Sequence, residues 1–162
     1  MLRRIDALLG TVPDKYLIGL DCIVLANEAS FPRKDRRGKT RSRKRKYDKS
    51  RILGRYHPAW RGNRPWIEVR VDKTLAANPR ILLWIPAFRD FALAAVVFHE
   101  LGHHIHYFIR PEYKEKEDVA DDWRNKLMGN FLRKKYWYLV WPFVLRGKIR
   151  KWMVARRLKA EG

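Results

Sequence analysis

One cysteine, Cys22, stands in a chain of 162 residues. A single thiol excludes an internal disulfide framework and a metal site built from thiolates, so a reducing compartment, by default the cytoplasm, is expected. Acidic residues are scarce as well, 17 against 37 Lys and Arg, for a formal net charge of +20. Long apolar runs are missing. The stretch from Phe91 to Phe98 has eight residues and that from Tyr136 to Leu145 has ten with Pro142 inside it, well short of the roughly 18–20 that a membrane span needs. At the start, Asp6 and Pro13 interrupt the apolar segment that a signal peptide would require after Arg3-Arg4, and the segment reads as mature sequence. No internal repeat is visible. What is present, 46% hydrophobic and 13% aromatic residues, suffices for one compact core at this length.

The charge is unevenly placed. Residues 33–51 hold 12 basic and 2 acidic residues, residues 123–162 hold 12 and 1, and the remainder is almost neutral. The first block, from Arg33 to Lys46, has almost no apolar side chain with which to offset its ordering entropy, and it reads as a mobile loop. Around it, Tyr16–Leu25, Ile52–His57 and Trp66–Val71 are rich in strand formers. The last alternates, with Ile67, Val69 and Val71 facing one way and Trp66, Glu68, Arg70 and Asp72 the other, which predicts one buried face and one open to solvent or ligand. From about Ala87 the pattern becomes a long apolar helix that Pro111 ends near Arg110. A second helix is predicted from about Glu112 to Met128, with Gly129 as its cap.

On the long helix stands His99-Glu100-Leu101-Gly102-His103, an HExxH motif. Positions i and i+4 share a helix face, so two imidazoles can converge on one zinc ion while the glutamate between them reaches its water. Glu100 is then the general base for attack on a peptide carbonyl. A catalytic zinc takes a third protein ligand, and His104, His106, Glu112, Glu115, Glu117, Asp118, Asp121 and Asp122 are at hand. A helical wheel of about 100° per residue puts Glu117 on the apolar face of the second helix with Tyr113, Ala120 and Leu127, and turns Glu115, Asp118 and Asp122 away. A carboxylate on an apolar stripe is costly without a partner, and a metal is such a partner. If the two helices are antiparallel, Glu117 arrives beside His103, and Asp121, one turn on, is placed to accept the second ring N–H of a ligand histidine. The competing reading gives Glu117 and Asp121 to a solvated acidic face. His106 and His104 read as packing or pocket-wall groups. Tyr56, His57, Tyr107 and Tyr113 stay open as donors to an oxyanion.

These residues resemble the gluzincin metallopeptidases, and within them the ImmA/IrrE-like proteins and the one-domain minigluzincins. The likeness rests on His99-Glu100-Leu101-Gly102-His103 and on Glu117-x-x-Ala120-Asp121-x-Trp123, similar to the family's Glu-x-x-Ala-Asn-x-Phe, and it covers about residues 66–128. It implies an α+β fold, with a small sheet of about three or four strands packed on the HExxH helix and a second ligand-bearing helix. It also implies one Zn2+ per chain and an edge strand above the metal along which an extended protein or peptide substrate lies. Trp66–Asp72 is the expected strand, with Trp66, Glu68 and Arg70 as substrate contacts. On this reading residues 1–128 form the peptidase domain, with the basic loop 33–51 inserted, and residues 129–162 form a basic, aromatic extension.

The leading expectation is a zinc-dependent endopeptidase. The alternative is a non-catalytic module that binds nucleic acid or a membrane surface. Residues 33–51 suit a polyanion such as nucleic acid through counterion release, or serve only for solubility. Residues 133–151 have the arrangement of an interfacial segment on an anionic membrane, but a helix docked on the core by its aromatics is the favoured reading, and such a segment could also cover the cleft. The expected location is cytoplasmic, at the periphery of membrane or nucleoid.

Overall fold

The computed structural model describes residues 1–32, 39–42, 45–48, 51–109 and 116–138, the segments 39–42 and 45–48 as backbone only. Helix α1 (Leu2–Leu9) leads to strand β1 (Ile23–Ala26), then a hairpin of β2 (Lys39–Ser42) and β3 (Arg45–Asp48). There follow β4 (Gly54–His57), β5 (Trp66–Arg70), α2 (Val71–Ala76), α3 (Pro86–His104) and α4 (Lys116–Lys135). The class is α+β with a small mixed sheet, as expected. Its three strands run in the order β1-β5-β4, β1 parallel and β4 antiparallel to β5.

Helix α3 begins on Pro86, whose missing N–H costs nothing in a first turn. Leu93, Ala94, Val97, Phe98, Leu101 and Ile105 recur at intervals of three and four and are all buried. They meet Val119, Trp123, Leu127 and Phe131 of α4, Ile67 and Val69 of β5, and Ile5 and Leu8 of α1 in one core. Asp90, buried on α3, accepts from Lys135 Nζ at 2.7 Å and from the Tyr136 hydroxyl at 2.6 Å, and pairs with Arg4. One carboxylate thus fastens α1, α3 and the end of α4. Burial alone would raise its pKa, but the hydrogen bonds from Lys135, Tyr136 and Arg4 outweigh that and hold it below its usual value.

Several expectations are corrected. The strand at 66–72 ends at Arg70, and Val71 and Asp72 open α2. It is the central strand, paired on both sides, so no peptide can add to it, and both of its faces are buried, Glu68 and Arg70 included. The upstream strand is shortened to Ile23–Ala26, since Asp14–Tyr16 form a 3-10 turn and Gly19 takes φ +80°. The long helix keeps α geometry to His104 and widens to a π turn over Ile105–Ile109. Gly129 caps nothing: α4 runs through it to Lys135, because Phe131 continues the buried seam and outweighs the roughly 1 kcal/mol a mid-helix glycine costs. Within 33–51, residues 39–42 and 45–48 pair as an antiparallel hairpin where a loop was expected. The rest of that block through residue 50, the turn at Pro111 with Glu112, Tyr113 and Glu115, and residues 139–162 lie outside the described residues.

Candidate metal centre

Two helices and one strand edge build the site. Along α3, His99 and His103 stand one turn apart with their ring centroids 4.9 Å from each other. Helix α4 crosses them closely because α3 carries Gly102 at the crossing. A Cβ there would lie 2.7 Å from the Ala120 carbonyl oxygen and 2.8 Å from its Cα, so only glycine permits the approach. The approach brings Glu117 Oε2 to 3.4 Å from His99 Nε2 and 3.8 Å from His103 Nε2. One donor atom from each of the three residues lies within 4.8 Å of the others, a group that could hold a metal ion.

The donor chemistry fits such an ion. Ligands about 2.0–2.2 Å from a four-coordinate divalent metal stand about 3.3–3.5 Å apart, close to the spacings found. His99 Nδ1 is 2.8 Å from Asp121 Oδ1. An ionised carboxylate only accepts, so Nδ1 carries the proton and Nε2 turns its lone pair toward Glu117. Arg124 holds the same Asp121 oxygen from the other side at 2.9 Å. Burial, then the neighbouring His99, push the His103 pKa down to about 4, so that imidazole is neutral at pH 7 and able to ligate. Glu117 leaves 56% of its side chain exposed, and the centre is open to solvent on that side.

Glu100 lies between the two histidines in sequence and is buried. Burial, followed by the charges of Glu117 and Glu68, raises its pKa to about 7, against the Tyr56 main-chain N–H that its carboxylate accepts. That N–H belongs to β4. Leu53 accepts the Arg70 N–H at 2.8 Å, and antiparallel alternation then turns the main-chain groups of Gly54 and Tyr56 away from β5, onto an edge with no partner strand among the described residues. Gly54 allows the contact with α3, because a Cβ would meet Val96 at 2.6 Å and the Glu100 side chain at 2.9 Å. Neither glycine announces its role in sequence. Gly102 lies inside the motif and Gly54 at a strand start, and only the neighbours that meet them give the reason.

The other expected residues are elsewhere. His104 is fully buried. Its Nε2 donates to the Ile18 carbonyl at 3.0 Å while Nδ1 accepts the Tyr56 hydroxyl at 3.3 Å, and burial lowers its pKa, so it clamps β4 and the 18–19 turn onto α3 as a neutral ring. His106 is buried against Tyr107. Trp66 stacks on His57 at 3.9 Å, and Glu68 joins His57 to Arg70. The His57 contact, then burial, then Arg70 act on the Glu68 carboxyl and leave its pKa below the usual value. Trp66, Glu68 and Arg70 therefore brace the central strand, two of them buried. Tyr56 stacks on Tyr107, its hydroxyl pKa raised to about 12 by burial.

No family model, curated protein or solved structure matches this chain.

Proposed function

We propose that the protein is a zinc-dependent metalloendopeptidase, with His99, His103 and Glu117 holding one Zn2+ and Glu100 as general base. The observation that carries this reading is the buried carboxyl of Glu100, which belongs to the same helix as the two histidines and is hydrogen-bonded to the free edge of β4. A purely structural site has no use for such a base. A zinc ion supplies Lewis acidity, which polarises a carbonyl and acidifies water. The chain supplies the rest. An extended polypeptide pairs with the outward main-chain groups of Gly54 and the Tyr56 carbonyl, the Tyr56 N–H being held by Glu100. Its amide then lies beside Glu100, which takes the proton from the attacking water and delivers it to the leaving amine. A carboxyl with a pKa near neutrality is suited to both transfers. Asp121 keeps His99 in the ligating tautomer. The basic block 33–51 supports substrates held on nucleic acid or another polyanion.

Metal content and peptide hydrolysis measured together on wild type and Glu100→Gln test the reading. Wild type retains about one zinc per chain and cleaves, while the variant retains zinc and loses about 10²–10⁴-fold in rate. A chain that binds no zinc with all three ligands intact sinks the proposal.

A further inference from the structure

We propose that the face formed by the turn leading into α3, its first turn and the residues just after α4 docks on an anionic lipid bilayer. Ile81, Trp84 and Ile85, in and beside the 3-10 turn that leads into α3, and Phe88 in its first turn are 78, 85, 48 and 39% exposed; Trp137 and Tyr138 are 61 and 53% exposed. Ring contacts link the two groups. Phe88 packs edge-on against Phe91, Phe91 against Tyr136 at 5.3 Å and Tyr136 against Tyr138 at 6.0 Å, while Lys135 binds Asp90 beneath them. A patch of this kind marks an interaction site, because a monomer rarely leaves contiguous large apolar side chains in water.

Charge selects the occupant. Residues 1–5, 79–90 and 131–138, joined through Arg4, Asp90 and Lys135, hold seven basic residues and one acidic, Asp90, which is buried and paired. A partner must be apolar within and negative at its surface. A bilayer of anionic lipid is both, and Trp and Tyr are favoured at its headgroup level. Duplex DNA has the charge but offers nothing to Ile81 and Ile85. The sequence after Tyr138 has the same chemistry, with Trp141, Phe143 and seven basic residues against one acidic. Its like charge argues against it as the cover of this face and suits the same membrane. Attachment is peripheral, since among the described residues no helix is long and apolar enough to cross.

The test uses the full chain, co-sedimented with vesicles of phosphatidylcholine alone and of phosphatidylcholine containing phosphatidylglycerol, at low and high salt. Wild type pellets with the anionic vesicles only, and less as salt rises. Replacing both Ile81 and Trp84 by Ser lowers the partition about tenfold, and Arg80→Glu lowers it severalfold. All three side chains are exposed, so thermal unfolding and zinc content stay at wild-type values, which keeps this result separate from any failure of the peptidase reading. Absence of wild type from the anionic pellet overturns the proposal. So does a double variant that pellets like wild type, whether it has lost DNA binding or self-association instead.

Discussion

Asp121 lies outside the proposed ligand set, yet by accepting the Nδ1 proton at 2.8 Å it leaves Nε2 of His99 as the nitrogen with a free lone pair. Asp121→Asn keeps the size and blunts the acceptor. Its zinc affinity, read by competition with a chromogenic chelator, falls about 10–100-fold while the fold is unchanged. Asp90 makes a residue-scale case for stability. In Asp90→Asn, Arg4 and Lys135, each about a third exposed, lose their carboxylate. The cost is about 2–3 kcal/mol in denaturant unfolding, below the 3–5 kcal/mol of fully buried pairs because the cations regain water. The Asp90 pKa is depressed on folding, so its contribution is complete above the unfolded value of 3.8 and is lost as pH falls through the lower folded one. The gap between wild type and variant therefore closes below about pH 4. At this scale the sequence was informative for a definable reason. Helical spacing fixes which side chains share a face, and His99, His103, Glu117 and Asp121 are a matter of spacing once two helices lie antiparallel. Gly102 and Gly54 were silent, since the absence of a side chain acquires meaning only from what occupies its place.

Between elements, the decisive contact is the crossing of α3 and α4 at Gly102 and Ala120. Helix propensity favours Gly102→Ala by about 1 kcal/mol. The added methyl would sit 2.7–2.8 Å from backbone atoms of Ala120, which cannot rotate away, so α4 must move and carry Glu117 with it. The expected outcome is a loss of about 1–3 kcal/mol in unfolding free energy together with weakened zinc binding, whereas alanine at an exposed helical glycine would stabilise. The sheet shows where pattern reading stops. The alternation in Trp66–Val71 identified a strand, but alternation does not say whether a strand is central or at an edge. Strand order depends on β1 and β4, which both precede β5 in the chain yet flank it on opposite sides in the sheet. The polar face expected to meet solvent is closed by His57 against Glu68 and by Phe31 over the Arg70 guanidinium, contacts from elsewhere in the chain that periodicity does not carry. Substrate contact is accordingly proposed for β4.

For the molecule as a whole, the proposed ligand set draws three donors from two helices, so zinc binding, as proposed, would be linked to folding. Zinc at about 100 times its dissociation constant adds about 2.7 kcal/mol, which for a chain of this size raises Tm by about 5–10 °C. Thermal unfolding with zinc and with a chelator measures this, and in Glu117→Gln the difference should shrink markedly.

The sequence by itself determined the order of strand-forming and helical segments, the HExxH helix and the uneven distribution of charge, because composition and periodicity are local properties that need no partner. Tertiary structure alone decided that β5 is central, that β4 presents the free edge to Glu100, that α4 continues past Gly129, and that two glycines allow the elements to meet. Each of these depends on which surfaces, distant along the chain, come into contact, and close packing fixes that only when the whole core forms.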